Sequence, residues 1–173
     1  MLEIRELVNA AYEVETGSEG VAFKNITRYN DVFEPIEDEL PFFHVLRLEN
    51  SPKIVGVVKA KMIDDFKIVE IGPVAIRPEF QVNKAVVKYY TMKYLCITKT
   101  TFLQGQGLGS RLFNFAESLA SIAQIRVVSC RSDLFPIYLK RGYRELYRYP
   151  AEKTIPPQYM TRHGLEFVVM QKN

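Results

Sequence analysis

The chain has no tryptophan, only two cysteines and two histidines, and no apolar run near the roughly 20 residues that cross a bilayer. Cys96 and Cys130 are isolated thiols without metal-ligand spacing, so a disulfide scaffold is not indicated. His44 and His163 lack triad or metal companions and read as structural or solvated residues. The opening Met1-Leu2-Glu3-Ile4-Arg5-Glu6 lacks the basic-then-apolar pattern of a secretory signal. The expectation is therefore a reducing cytoplasmic compartment, the nucleus being equally compatible, with no membrane and no metal. Acid is missing from one stretch: residues 82–104 hold Lys84, Lys88, Lys93 and Lys99 and no Asp or Glu. The formal charge of +3 is concentrated there, because the remaining chain carries 19 basic and 20 acidic residues. A basicity confined to one segment does not make a nucleic-acid-binding face.

What is present fits one domain spanning 1–173 with an atypical insertion at 82–104: 173 residues, 47% apolar and 25% charged. Leu2, Leu7, Ala10, Ala11 and Val14 mark a helical stripe through Ile4–Glu15, closed by Gly17, and Asn30–Leu40 suits a second short helix ending before Pro41. Phe42–Glu49, Ile54–Ile63 and Lys67–Ile76 read as an antiparallel meander punctuated by Ser51-Pro52 and Asp64-Asp65. Leu108, Leu112, Phe115, Ala116 and Leu119 place a helix over Gln106–Ala123, before a short buried strand at Ile125–Ser129. Ser132-Asp133 can cap a helix running to Lys140 and stopped by Gly142. Tyr143–Tyr149 and Glu166–Met170 close the chain as strands around a Pro156-Pro157 loop. The expected architecture is α+β, a mixed sheet of about six strands flanked by helices, with a parallel step at the long crossover helix.

Gln104-Gly105-Gln106-Gly107-Leu108-Gly109-Ser110 opens that helix. Three glycines in five positions permit close backbone approach, and a helix N-terminus offers unpaired N–H groups that hold phosphate oxygens. It is not a Walker A loop, which requires a following Lys-Ser/Thr, nor a dinucleotide fingerprint, because Arg111-Leu112 occupy the place of the third glycine. A module binding ATP or NAD through this loop is thus disfavoured.

The loop resembles the Gln/Arg-x-x-Gly-x-Gly/Ala pattern of GNAT-superfamily acetyltransferases. Gly72-Pro73-Val74-Ala75-Ile76-Arg77-Pro78-Glu79-Phe80-Gln81 before it, and Asp133 through Tyr143 after it, resemble that family's strand segment and its Tyr-x-x-x-Gly-Phe/Tyr segment, in the family's order. The resemblance implies a GNAT-type acyl-CoA N-acyltransferase fold and acetyl transfer from the cosubstrate acetyl-CoA to a primary amine by direct attack. The acceptor would be a small molecule or a peptide, and the protein a monomer or homodimer. It further implies that Gln104, Gly105, Gln106, Gly107, Leu108, Gly109 and Ser110 hold the pyrophosphate. Backbone groups of Val74, Ala75 and Ile76 would bond the pantetheine arm at a bulged strand. Pro73, which has no N–H, suits such an interruption.

By the same resemblance Tyr138 donates a proton to the departing thiolate, a phenol near pKa 10 being a plausible donor to a thiol near about 8.5. A core-packing aromatic is the alternative for Tyr138. Glu70, on the strand leading to the thioester between apolar Val69 and Ile71, is the candidate general base; an outward-facing solvated glutamate is the other reading. Tyr12 and Arg28 fall in the family's acceptor-covering region. Arg131 is a candidate substrate-binding residue, with ion pairing to Asp133 as the alternative. Two departures stand out. The chain starts almost at the first helix, so the N-terminal edge strand usual in the family is expected to be missing. Residues 82–104 also interrupt a motif that closes seamlessly when Gln81 is joined to Gly105. That piece begins with valine, whose codons start GT, and ends with glutamine, which CAG encodes. It reads either as a retained intron translated in frame or as a genuine loop or short helix over the site. The rival function is a non-catalytic acyl-CoA-binding or interaction domain whose site the insertion disrupts.

Overall fold

The computed structural model describes residues 2–13, 29, 36–47, 52–81, 90–92, 95–97, 107–160 and 163–173. Helix α1 (Leu2–Glu13) buries Leu7 and Val8, one helical face, against strands β2 and β3. Both backbone groups of buried Tyr29 bond to the Asn9 side chain, at 3.0 and 2.8 Å. Strands β1 (Phe43–Arg47), β2 (Ile54–Ile63) and β3 (Ile68–Ile76) form the antiparallel meander expected from the turn residues between them. After β3 come α2 (Pro78–Gln81), a small hairpin of β4 (Tyr90–Met92) and β5 (Leu95–Ile97), then α3 (Leu108–Glu117) and β6 (Ile122–Val128). Helix α4 (Phe135–Lys140) and strands β7 (Arg144–Pro150) and β8 (Glu166–Lys172) complete the chain.

The main sheet has six strands in the order β1-β2-β3-β6-β8-β7. All its pairings are antiparallel except β3–β6, the parallel step that α3 makes possible by crossing over the sheet. On the α3 side lies the larger core: Val58, Ile71, Ile76, Leu112, Phe115, Ile125, Tyr143 and Met170. Gly56 allows α3 to come close, since a Cβ there would stand 2.5 Å from Ile76 Cδ1 and 3.0 Å from Leu112 Cδ1. On the opposite face α1 covers Ile54, Val57 and Ala75. Glu3 fastens that helix by accepting from Ile54 N at 2.9 Å and from Arg77 Nη2 at 2.9 Å. Burial alone would push the Glu3 carboxyl up; these two donors outweigh it and hold it below the usual carboxylate range.

The structure corrects several element boundaries. In place of an α-helix over Asn30–Leu40, residues Glu37–Phe42 form a 3-10 helix with Pro41 inside it; residues 30–35 lie outside the described residues. The crossover helix ends at Glu117, not Ala123, and the following strand starts at Ile122, not Ile125. Ala116 to Ala123 is rich in helix formers, but Ile122 and Ala123 are taken by pairing with Ile68 and Val69. Helix α4 starts at Phe135 without a side-chain cap: its N-cap position is Leu134, which has no capping group, and Asp133 one residue earlier pairs with Arg131. No described helix is long and apolar enough to cross a membrane.

Candidate active site

The parallel ladder between β3 and β6 runs from Ile68↔Ile122 to Ile71↔Ile125 and ends there, although both strands continue. Immediately beyond, the β2–β3 register shifts between Val58 and Ala60, so Gly72 and Pro73 together face Lys59. This is a β-bulge, which bends its strand and strengthens its twist. Pro73 sits where a ladder donor is dispensable. Gly72 is needed for another reason: a Cβ would lie 3.0–3.3 Å from three carbons of the Lys59 stem. Lys59 itself is buried, and its ammonium pairs with Glu39 of the 3-10 helix. Past the bulge, Val74, Ala75 and Ile76 remain paired to β2 on one side, while on the other the β6 ladder has stopped. The sheet is therefore open between the ends of β3 and β6.

The N-terminus of α3 lies beside this opening, with Gly109 next to Ile76. Gly107 precedes the helix, and its carbonyl accepts from Ser110 N at 2.8 Å and Arg111 N at 3.3 Å. The first turn carries no acid. Among the described residues, a Cβ at Gly107 or Gly109 would meet no protein atom closer than 3.9 Å, and neither residue takes a positive φ. Neither crowding by the described residues nor backbone conformation accounts for glycine here, whereas a side chain at either place would occupy the space at the helix mouth. That arrangement suits a pyrophosphate held by backbone N–H groups. Leu108 is buried in the core and Ser110 is exposed on the first turn. Gln104, Gly105 and Gln106 lie outside the described residues.

Tyr138 belongs to the α3 side. Its ring packs 5.9 Å from Phe113 and 6.0 Å from Tyr143. Its helix closes on Gly142 (φ 93°), whose N–H bonds to Leu139 O at 3.0 Å while Tyr143 N reaches Tyr138 O at 3.0 Å. This left-handed glycine cap satisfies the last carbonyls of the helix and fixes the direction in which α4 ends. Burial, then the Glu117 carboxylate, push the Tyr143 phenol strongly up, so it stays neutral. Glu117 in turn accepts from Arg141 Nη2 at 3.1 Å and Lys172 Nζ at 3.1 Å, tying α3 to the end of α4 and to β8.

Glu70 points the other way. Its neighbours Val69 and Ile71 enter the α3-side core, while Glu70 lines a cavity of about 270 Å³ on the opposite face, with Gln124, Arg126, Tyr147, Tyr149 and Lys153. Arg126 Nη2 donates to Glu70 Oε1 at 3.0 Å and Nη1 to the Tyr149 hydroxyl at 3.2 Å. Burial opposes the Arg126 charge, but Tyr149 and Glu70 more than compensate and keep its pKa raised. Glu70 is thus surrounded by an ion pair and not by the apolar setting that its sequence neighbours suggest. The cavity reaches Ile125, the last residue of β6 paired to β3, and Arg126, the first beyond that ladder though still paired to Val169 of β8, so it meets the opening between β3 and β6 at its base.

Arg131, another of the sequence candidates, is not in this group. Arg131 makes two bonds to Asp133, at 3.0 and 2.9 Å, in the turn before α4, and does not line the cavity. Tyr12 lies in the last turn of α1 with its side chain outside the described residues, as is all of Arg28. The sequence reading missed Gln124, Arg126, Tyr147, Tyr149 and Lys153. The signal was there: Gln124 and Arg126 are alternate polar positions in an otherwise apolar strand, and Tyr147 and Tyr149 alternate on β7. Among the described residues no cluster of His, Cys, Asp and Glu is arranged to hold a metal.

No protein-family model and no curated protein matches the sequence. Solved structures do match. An aminoglycoside 6'-N-acetyltransferase complexed with coenzyme A superposes with a TM-score of 0.55 at 13% identity, covering 98% of this chain and 89% of that one. Naa50 of Arabidopsis thaliana, in complex with a bisubstrate analogue, gives 0.54 at 15% identity over 99% and 91% of the two chains. The chain has the GNAT acetyltransferase fold. A GNAT-family acetyltransferase from Elizabethkingia anophelis with acetyl-CoA bound gives 0.51 at 17% identity, covering 80% of each chain. In GNAT terms the described sheet supplies the mixed six-strand core with flanking helices, and acetyl-CoA or coenzyme A is the ligand carried by these three neighbours or built into their analogue.

Proposed function

We propose that this chain is an N-acetyltransferase that passes the acetyl group of acetyl-CoA to a primary amine by direct attack, with no covalent enzyme intermediate. The observation that carries the reading is the end of the β3–β6 ladder at Ile71↔Ile125, directly beside a bulge and beneath an uncrowded, acid-free helix N-terminus. In this reading the N–H groups opening α3, from Gly107 through Ser110, take the pyrophosphate, together with Gln104, Gly105 and Gln106. The backbone of Val74, Ala75 and Ile76 holds the pantetheine arm in the opening and polarises the thioester oxygen. The thioester supplies the activated acetyl group.

The two faces divide the proton chemistry. On the cavity face Glu70, directly or through water, accepts the proton the amine loses; the Arg126 bond occupies one of its oxygens. On the α3 face Tyr138 protonates the thiolate that leaves. Tyr12 and Arg28 are retained as candidate acceptor contacts, whereas Arg131, bonded to Asp133 away from the cavity, is not. Thermal unfolding with acetyl-CoA tests the binding step: a midpoint that rises with ligand concentration, but not with ATP or NAD, supports it, and equal responses to all three refute it. Tyr138→Phe should lower kcat while leaving the acetyl-CoA shift in place. Glu70→Gln should lower turnover and move its pH profile; unchanged kinetics remove Glu70 from the mechanism.

The second reading, a non-catalytic acyl-CoA-binding or interaction domain, is favoured by the 23 residues interposed between Gln81 and Gly105. Parallel assays of the whole chain and of a chain lacking 82–104 separate the two. Transfer by the shortened chain alone means the insertion disables the site, and transfer by both means it does not.

A further inference from the structure

The cavity that meets the base of the strand opening has a charge inventory that selects among amines. Among the described residues Glu70 is the one acid lining it, and Arg126 already holds that carboxylate at 3.0 Å. Lys153, on the 3-10 turn after β7, adds a second cation to the lining and makes no ion pair among the described residues. The described groups lining the cavity therefore carry one negative and two positive charges. Its wall is aromatic. Tyr147 and Tyr149 lie 6.2 Å apart, and Phe167 continues the row 5.5 Å from Tyr149. All three stand on the face that α1 leaves uncovered beyond β3.

A polycationic acceptor would bring several positive charges beside Arg126 and Lys153, with one already neutralised carboxylate to meet them. In a half-enclosed site such like-charge contacts cost more than they do in open water. An amine that also carries an anionic group meets the opposite situation. Its anion finds Lys153, its apolar part lies on the tyrosine wall, and its amine is left toward Glu70 and the strand opening. A volume of about 270 Å³ suits a molecule of amino-acid size.

Resting on the transferase reading above, we propose that the acceptor is a small primary amine bearing a carboxylate or similar anionic group, with Lys153 as the residue that selects for it. The test compares phenylalanine, phenylalaninamide and spermidine as acceptors, in the wild type and in Lys153→Glu. The wild type should prefer phenylalanine to its amide, with spermidine poorest. In Lys153→Glu the ratio of kcat/KM for phenylalanine over its amide should fall roughly tenfold or more, the worth of one charge-assisted contact.

A second arm measures binding of N-acetylphenylalanine and its amide by nuclear magnetic resonance, without acetyl-CoA. Selective binding of the carboxylate form, lost in Lys153→Glu, supports the assignment even if no transfer is found, and in that case the transferase reading alone falls. Preference for the amide or spermidine, equal binding of the two acetylated compounds, or a ratio unmoved by Lys153→Glu overturns the assignment.

Discussion

Replacing Gly56 by alanine should destabilise the fold and disturb the proposed acetyl-CoA site together. An added Cβ would lie 2.5 Å from Ile76 Cδ1, 3.0 Å from Leu112 Cδ1 and 3.2 Å from the Ala75 carbonyl oxygen, where ordinary contacts begin at 3.4 Å. The Ile76 tip must move by nearly an ångström, Leu112 by a few tenths, and the carbonyl by somewhat less. Leu112 is 1% exposed and has nowhere to go. Overpacking of this kind costs roughly 1–3 kcal/mol. At about 2–4 °C per kcal/mol for a domain of this size, a loss near 2 kcal/mol lowers Tm by about 4–8 °C.

Ile76 also borders Gly109 at the mouth of α3, so its displacement should weaken the stabilisation by acetyl-CoA as well. Gly107→Ala is the matched control. No atom of the described residues comes closer than 3.9 Å to its Cβ position, so the Tm of the ligand-free protein should stay within about 1 °C, while the acetyl-CoA shift shrinks because the new methyl stands at the proposed phosphate position. Scanning calorimetry of both variants, with and without acetyl-CoA, is the assay. An unchanged Tm for Gly56→Ala would refute the packing argument, and an undiminished acetyl-CoA shift for Gly107→Ala would refute the placement of the pyrophosphate.

Gly142→Ala should cost about 1 kcal/mol in urea unfolding, because φ there is 93° and no contact hinders the added methyl, so the backbone conformation alone sets the penalty. If stability is unchanged, the glycine cap of α4 is not what fixes the Tyr138 helix. Burial against Phe115 holds the His44 pKa below its ordinary value. The unfolded chain therefore takes up this proton first as pH falls, and stability should decline on acidification through about 6.5. In His44→Phe that decline should be smaller, and a stability–pH curve between 7 and 5 identical to that of the wild type would exclude the His44 contribution.

Much of the fold was legible because local chemistry agreed with the global arrangement. Asp64-Asp65 marked the turn between β2 and β3, Gly142 the end of α4, and the repeat of Leu108, Leu112 and Phe115 the crossover helix. Boundaries failed where a distant partner decided them. Nothing in Ala116–Ala123 announces that Ile122 must leave the helix to pair with Ile68. The glycines of the α3 loop were legible as the approach to a helix N-terminus, where Gly107 and Gly109 stand. The cavity was not, since its side chains come from β3, β6, β7, β8 and a 3-10 turn, and no short motif records that meeting. Glu70 shows the limit within a single residue. Its strand and its apolar neighbours could be read in advance, but not the Arg126 guanidinium, 56 positions away in the chain, that faces it.

The central claim is acetyl transfer, and the most direct test follows both products when the protein is incubated with acetyl-CoA and a panel of primary amines. The account predicts, for at least one amine, equal amounts of acetylated amine and free coenzyme A, formed in proportion to protein and suppressed in Tyr138→Phe. Free coenzyme A appearing only at the rate of spontaneous hydrolysis, with no acetylated amine, would contradict it.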